Sequence, residues 1–224
     1  TGVESNLLWG MTITALTAMD EGTCAMGVSK VMCWGDNFRG QLGRDSTTDL
    51  GGPTFTPNTI NPWLVAGTPT AIAGGGSHIC AAMTTREVRC LGSNTQGQLG
   101  LGHQLDQGDQ AGESAALSVV PLRTQTTASA LAVGSAHGCA VLTGGTLKCW
   151  GASGSGQLGY GDTQTRGDGL GEMGANLPTV QLGTGVQAFR VVAGNATTCV
   201  ITTTSTLKCW GDNEYGQLGR GDTS

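Results

Sequence analysis

Short apolar runs separated by glycine and turn residues dominate the hydrophobic pattern of the chain. Residues 117–176 show it most clearly, with four such runs: Ser118–Leu122, Ala130–Val133, Cys139–Leu142 and Leu147–Trp150. Gly134 ends the second run, and Gly144 and Gly145 separate the third from the fourth. Runs of this kind are typical of β-strands. No stretch keeps a 3.6-residue apolar stripe over three turns, so the pattern does not favour helices.

The same arrangement recurs four times along the sequence. Gly-Gln-Leu-Gly begins at Gly40, Gly97, Gly156 and Gly216, at spacings of 57, 59 and 60 residues. Cys-Trp-Gly, or Cys-Leu-Gly in the second repeat, precedes each copy, and apolar runs at 7–9, 63–65 and 177–180 open the other three repeats. Four short strands in a unit of this length predict a propeller blade rather than a helical solenoid unit.

We therefore predict an all-β fold of four β-propeller blades, each a four-stranded antiparallel sheet, in one domain over residues 1–224. The predicted repeats are 1–57, 58–116, 117–176 and 177–224. The fourth repeat stops shortly after its Gly-Gln-Leu-Gly and lacks the long loop of the others. We expect the chain to be part of a longer chain or of an assembly.

The order Gly-x-x-His-x-Cys-Ala, Cys-Trp-Gly, Gly-Gln-Leu-Gly resembles the regulator of chromosome condensation repeat family over nearly the whole chain. The resemblance implies a β-propeller, usually of seven blades. Members of the family include nucleotide-exchange factors for small GTPases, ubiquitin-pathway interaction modules and a secreted bacterial inhibitor of β-lactamases. The variant with two cysteines per repeat is similar to secreted forms from microbes and algae.

The eight cysteines fall into four pairs with separations of 9, 10, 10 and 10 residues. The midpoint of a pair falls on a turn, so both cysteines face each other across a hairpin, where Cβ atoms lie about 4.5–5.5 Å apart. This spacing makes a disulfide feasible. The predicted bonds are Cys24–Cys33, Cys80–Cys90, Cys139–Cys149 and Cys199–Cys209. Free core thiols and zinc ligation are the alternatives, although no Cys-x-x-Cys is present and only two repeats carry a nearby histidine.

Paired cysteines indicate an oxidising compartment, so we expect an extracellular or secreted protein. Asn195-Ala196-Thr197 is a glycosylation sequon and predicts a glycan on Asn195. No run of 18 apolar residues occurs, so no membrane span is predicted.

Composition limits the partners of this protein. Charged residues make up 12% of the chain and the net charge is −5, which leaves no basic surface for nucleic acid. Glycine accounts for 39 of 224 residues, as expected for tight turns with positive φ. The Gln and Leu of Gly-Gln-Leu-Gly, such as Gln217 and Leu218, are predicted to anchor each loop. Trp34, Trp150 and Trp210 share one repeat position and are predicted to pack between blades.

Candidate chemistry is sparse. His78 and His137 share a repeat position, which favours a role in the fold, and no catalytic motif or cofactor site is apparent. The loops of repeats 2 and 3 carry weak calcium candidates: Asp109, Glu113, Asp168 and Glu172. The alternative is that these acids form turns and anchor the loops.

Repeated strands with variable loops suit binding. The sequence therefore favours a secreted, disulfide-stapled propeller-repeat protein that is not an enzyme and has a structural or protein-binding role, as an extracellular coat, appendage or adhesin. Its partner would be a protein, or a second copy joined through blade edges. One alternative is a regulatory interaction module, such as a guanine-nucleotide exchange factor for a small GTPase. The other is a hydrolase or lyase on a propeller scaffold.

Overall fold

The computed structural model describes residues 11–52, 63, 67–122 and 127–223. Within these ranges the regular structure consists of the following strands: β1 (Ile13–Met19), β2 (Gly22–Gly27), β3 (Val31–Gly35), β4 (Pro69–Gly74), β5 (His78–Met83), β6 (Val88–Gly92), β7 (Ala128–Val133), β8 (His137–Leu142), β9 (Thr146–Gly151), β10 (Ala188–Ala193), β11 (Thr197–Thr202) and β12 (Leu207–Gly211). In this part of the chain no helix is long and apolar enough to span a membrane.

Three consecutive strands form each antiparallel sheet, and we call the four sheets blades 1 to 4 in chain order. The first strands of neighbouring blades contact one another in succession, β1 with β4, β4 with β7 and β7 with β10. These strands therefore lie innermost and the third strands lie at the outer edge, which is the arrangement of propeller blades. The predicted all-β propeller architecture is confirmed.

The prediction of four strands per blade is wrong, because the first apolar run of a repeat does not join the sheet of that repeat. In repeat 3, Val120 donates its backbone N–H to the carbonyl oxygen of Val88 on β6 at 2.8 Å. Val119 forms an isolated bridge with Arg89 on the same strand. Pro121 has no N–H to continue the pairing, so the contact does not extend into a strand.

The same contact recurs on blade 3, where Val180 donates its backbone N–H to Leu147 of β9 at 2.9 Å. We call Leu117–Leu122 and Leu177–Leu182 the outer segments. Each belongs to one repeat in sequence and covers the outer edge of the preceding blade. The runs predicted at 7–9 and 64–65 lie outside the described residues.

A disulfide joins the second and third strands of every blade: Cys24–Cys33, Cys80–Cys90, Cys139–Cys149 and Cys199–Cys209. This is the pairing that the sequence predicts. In each blade the two cysteines are directly opposed in the strand register, with Cα atoms 4.1 Å apart. So short a separation marks the narrow, non-hydrogen-bonded type of antiparallel pair.

The apolar core lies between neighbouring blades in three clusters. Trp150 of blade 3 is fully buried against blade 2 and donates its indole N–H to the carbonyl oxygen of Gln98 at 2.9 Å. Trp210 of blade 4 makes the equivalent bond to Gln157 at 3.0 Å but is only half-buried. The tryptophans thus tie a third strand to the loop of the preceding blade.

Blade 4 has one face that no described residue covers. Val192, Ile201 and Leu207 are 64%, 43% and 69% exposed on this face. In the strand register they correspond to positions of blade 3 that are at most 6% exposed because blade 4 packs over them. The open face of blade 4 is therefore built like an interface between blades.

Candidate functional site

The long loops after β3, β6, β9 and β12 all leave the ends of third strands, so they emerge on the same side of the propeller. We call this surface the loop face and define it as residues 36–52, 93–116, 152–176 and 212–223. Loops presented on a rigid β-scaffold are a common place for binding residues. The loop face is the candidate functional site.

Gly-Gln-Leu-Gly builds the base of each loop from side-chain bonds to the backbone. The side-chain amide oxygen of Gln98 accepts the backbone N–H of Gln96 at 2.8 Å, and that of Gln217 accepts the backbone N–H of Tyr215 at 2.8 Å. Leu99 is fully buried beside it. These contacts agree with the loop-anchoring role predicted for the motif. Leu218 is only half-buried, since no described residue packs over it as blade 4 does over Leu158.

An asparagine three residues before the motif holds the rest of the loop, and the sequence interpretation missed it. Asn94 accepts the N–H of Leu99 at 2.9 Å and donates to the carbonyl oxygens of His103 and Leu105 at 2.7 and 3.0 Å. Asn37 and Asn213 bond in the same way. The recurrence of Asn at this offset was the available signal, which Ser153 obscures in repeat 3.

The glutamates proposed as calcium candidates close their own loops. Glu172 accepts the backbone N–H groups of Gly167, Asp168 and Gly169 at 2.8, 3.1 and 2.9 Å. Glu113 accepts two equivalent N–H groups in repeat 2. Among the described residues, no three His, Cys, Asp or Glu side chains lie close enough to hold a metal ion. These contacts support the loop-anchoring alternative.

Neighbouring loops are joined to one another. Burial raises the pKa of the Asp45 carboxyl, but bonds from Ser114 and from the N–H of Gly112 bring that pKa below its ordinary value. Gly40, at φ +75°, approaches the next loop so closely that a Cβ there would lie 2.4 Å from the backbone nitrogen of Asp109. Only glycine allows this approach at that backbone angle. The loops of blades 1 and 2 therefore form one continuous surface.

Repeat 3 carries an additional anchor. Arg166 forms a two-bond ion pair with Asp162 at 2.9 and 2.8 Å, which holds the pKa of Asp162 at about 2. The guanidinium also lies 4.6 Å from the ring centroid of Tyr160. Burial raises the pKa of Tyr160 to about 12, and its hydroxyl donates to the carbonyl oxygen of Cys149 at 2.8 Å. This cluster fixes the loop to the outer edge of blade 3.

Each loop exposes one large apolar side chain to solvent. Their exposed fractions are 68% for Phe38, 70% for Leu105, 94% for Leu170 and 84% for Tyr215. No two of them share a repeat position, so the repeat pattern does not explain them. Exposed apolar groups on anchored loops are suited to contact a protein partner.

The histidines that share a repeat position are buried beneath the loop face, where His78 is paired with Gly92 and His137 with Gly151 at the ends of the third strands. His78 and His137 are fully buried at the starts of β5 and β8. His137 contacts the hydroxyl of Thr198 at 3.0 Å, whereas neither ring nitrogen of His78 has a hydrogen-bond partner among the described residues. Burial lowers the pKa of His78 to about 3 and that of His137 to about 4.

Asn195 lies in the turn between β10 and β11 and is exposed to solvent. Its backbone carbonyl accepts the N–H of Ser135 at 3.0 Å, which fixes the turn against blade 3. The side-chain amide is therefore accessible, and glycosylation at this residue stays a prediction.

Known proteins with similar sequences support the fold and the repeats described above. The family model "Regulator of chromosome condensation (RCC1) repeat" matches residues 70–98, 128–157 and 190–217. The ultraviolet-B receptor UVR8 of Arabidopsis thaliana is 33% identical over 98% of this chain and 46% of its own length. The chain thus spans about half the length of that relative.

Solved structures agree on the architecture. Yeast RCC1 (Prp20), crystallised with Kap60, superposes with a TM-score of 0.70 and 19% identity, over 95% of this chain and 46% of that one. Prp20p from Saccharomyces cerevisiae, described with its binding to Gsp1p and histones, gives a TM-score of 0.69 and 19% identity, over 95% and 48% of the two chains.

Proposed function

Since the chain carries regulator of chromosome condensation repeats and belongs to that family, we propose that it is a secreted, disulfide-stapled module without enzymatic activity that binds a protein through its loop face. Its role would be structural, in an extracellular coat, appendage or adhesin. The observation that carries the proposal is the display of Phe38, Leu105, Leu170 and Tyr215 on the anchored loops of the loop face.

Two further observations support this proposal. Prp20p, which has the same fold, binds the proteins Gsp1p and histones, so propellers of this kind serve as protein-binding surfaces. Four disulfides in the described residues favour an oxidising compartment. His78 and His137, the histidines on which a hydrolase or lyase hypothesis would depend, are fully buried and are not displayed on the loop face.

The binding role is tested by charge introduced on the loop face. The chain carrying Leu170→Asp and Tyr215→Ser should capture its partner from the extracellular fraction of the producing cells at least tenfold less than the unmodified chain. Val28→Asp is the matched control, because Val28 is 71% exposed in the β2–β3 turn, at the opposite end of the third strand. Equal capture by both variants would contradict the proposal.

Compartment and mechanism need separate measurements. Intact mass of the protein isolated from its producing cells should show the loss of eight hydrogens and a glycan on Asn195. Accelerated nucleotide release from a small GTPase by the purified chain would instead favour the regulatory interaction module. A fully reduced, unglycosylated protein would contradict secretion.

A further inference from the structure

The exposed apolar side chains of the loop face are all accompanied by carboxylates. Each of them has an acidic residue within two positions in the sequence: Asp36 for Phe38, Asp106 for Leu105, Asp168 for Leu170 and Glu214 for Tyr215. An aromatic ring attracts a guanidinium through its face, and a carboxylate accepts bonds from the guanidinium N–H groups. This combination suits an arginine of a partner, whose aliphatic stem also covers apolar surface.

The loop face as a whole is strongly negative. It holds twelve of the 16 acidic residues of the chain and four of the 11 basic residues, which gives a formal charge of −8. Each of the four loops contributes three carboxylates, so the charge is spread over the face. At the opposite end of the third strands we define the turn face as residues 28–30, 84–87, 143–145 and 203–206. Its charged residues are Lys30, Arg86 and Glu87, so it carries a charge of +1.

Ion pairs within the loop face do not remove this excess. Three of the four arginines bond to an aspartate of the same face: Arg39 to Asp106 at 3.1 Å, Arg166 to Asp162 at 2.8 Å and Arg220 to Asp222 at 3.1 Å. Nine carboxylates then remain against one further arginine. A partner that covers these loops takes carboxylates out of water, which costs free energy unless the partner supplies positive charge.

We propose that the partner of the loop face is a basic protein surface that presents arginine and lysine side chains. Their charged heads pair with carboxylates such as Asp168 and Glu214, and their aliphatic stems pack on Leu170 and Tyr215. The difference in charge between the loop face and the turn face also orients the encounter, because such a field steers an oppositely charged partner to the negative end.

This inference rests on the proposed protein-binding role of the loop face and adds the chemistry of the partner. The two are tested apart by two kinds of variant. Leu170→Ser combined with Tyr215→Ser removes apolar contacts without changing the charge, and therefore tests the binding role. Neutralised carboxylates keep the apolar side chains, and therefore test the charge of the partner.

The probe is a library of random linear peptides displayed on bacteriophage and selected on the immobilised 224-residue chain at about 0.15 M sodium chloride. Selected peptides should carry more positive charge than the unselected library and should combine arginine or lysine with apolar residues. The peptide that is selected most often is then synthesised, and its affinity is measured by isothermal titration calorimetry. Raising the salt from about 0.05 to 0.3 M should weaken its binding at least about fivefold.

The charge variant combines Asp109→Asn, Asp168→Asn and Glu214→Gln. These changes keep the shapes of the side chains, and the amide oxygen at position 168 can still accept the bond that Gln104 donates at 3.0 Å. The carboxylates of Asp45, Glu113 and Glu172, which hold the loops through backbone N–H groups, stay unchanged. Peptide binding should weaken at least about fivefold, because three exposed charge pairs are lost.

The matched control changes the net charge by the same three units on the turn face. It combines Val28→Lys, Ser29→Lys and Thr203→Lys, all of which alter exposed turn residues. Third strands of five or six residues separate the two faces by roughly 16–20 Å. The Debye length at 0.15 M salt is only about 8 Å, so the affinity should change less than about twofold.

The outcomes separate the two proposals. Selected peptides that are neutral or acidic, or equal affinity of the charge variant and the unmodified chain, would overturn the basic partner. The binding role would still stand if Leu170→Ser with Tyr215→Ser abolished binding. Unchanged binding by that apolar variant would count against the loop face itself. Self-association of the chain that the apolar variant abolishes would overturn the basic partner too, because the occupant would then be a second copy.

Discussion

Removing the indole of Trp150 tests whether the recurring tryptophans stabilise the contact between blades. The ring is fully buried between blades 2 and 3, and Gly100 and Gly138 leave room for it. A Cβ at either glycine would lie 2.8 Å from the ring. Trp150→Ala should lower the free energy of unfolding by about 3–5 kcal/mol, as is usual for a buried tryptophan.

A second substitution separates packing from hydrogen bonding. Leucine occupies the equivalent position in blade 2, where Leu91 is 1% exposed, so the fold accommodates it. Trp150→Leu keeps part of the apolar contact but leaves the carbonyl oxygen of Gln98 without its donor. An unsatisfied buried acceptor costs about 1–3 kcal/mol. We therefore expect Trp150→Leu to lower the free energy of unfolding by about 2 kcal/mol. Its stability should lie between that of the unmodified chain and that of the alanine variant.

The assay is equilibrium unfolding in urea, followed by tryptophan fluorescence and circular dichroism, with the slope checked for each variant. Trp210→Ala is the internal comparison, because Trp210 makes the same bond while half-buried, and it should cost about half as much. A loss below about 0.5 kcal/mol for Trp150→Ala, or equal losses at both positions, would refute the reasoning.

Three further predictions follow from burial and contact. His78 has a folded pKa of about 3 against 6.5 when exposed, so the unfolded chain binds its proton first as the pH falls below 6.5. At pH 4.5 this should cost about 2.5 kcal/mol of stability relative to pH 7. His78→Leu should remove this part of the pH dependence in urea titrations at both pH values and leave the part that comes from buried His137. Gly75→Ala would place a Cβ 1.8 Å from a backbone oxygen of the next blade, so it should clearly lower the melting temperature. Gly154→Ala is the control: its Cβ would have no heavy atom within 4 Å, so the melting temperature should stay nearly unchanged. Cys199 and Cys209 are half-exposed on the open face of blade 4, so graded reduction with alkylation should label them before the buried pairs; earlier labelling of another pair would contradict this.

The repeat pattern was sufficient to predict the architecture and the disulfides, because both depend on local spacing. Cys139 and Cys149 flank a turn at Gly144, and a hairpin follows from that alone. The number of strands per sheet was not predictable in this way. Ser118–Leu122 has the composition of a strand, but its partner is β6 of another repeat, and Pro121 limits the pairing.

The exposed side chains of the loop face could not be predicted from the sequence either. The exposure of Leu170 and Tyr215 depends on which side chains the neighbouring loops cover, and this is set by contacts such as Asp45 with Ser114, far apart in the chain. The roles of the glutamates could be narrowed only to calcium ligation or loop anchoring, because both uses need the same carboxylate on the same glycine-rich loop. Their bonds to backbone N–H groups support the second.

The offset between repeat and blade has a consequence for how the protein is made. Strand β6 ends at Gly92, but the segment that covers its edge begins at Leu117, so blade 2 is still incomplete when the ribosome has released all of its strands. Each newly synthesised repeat first completes its predecessor and then exposes an edge of its own. Each blade therefore completes its fold only after the outer segment of the next repeat has been synthesised. A nascent chain that pauses between Gly92 and Leu117 presents the β6 edge, with which a neighbouring nascent chain can pair.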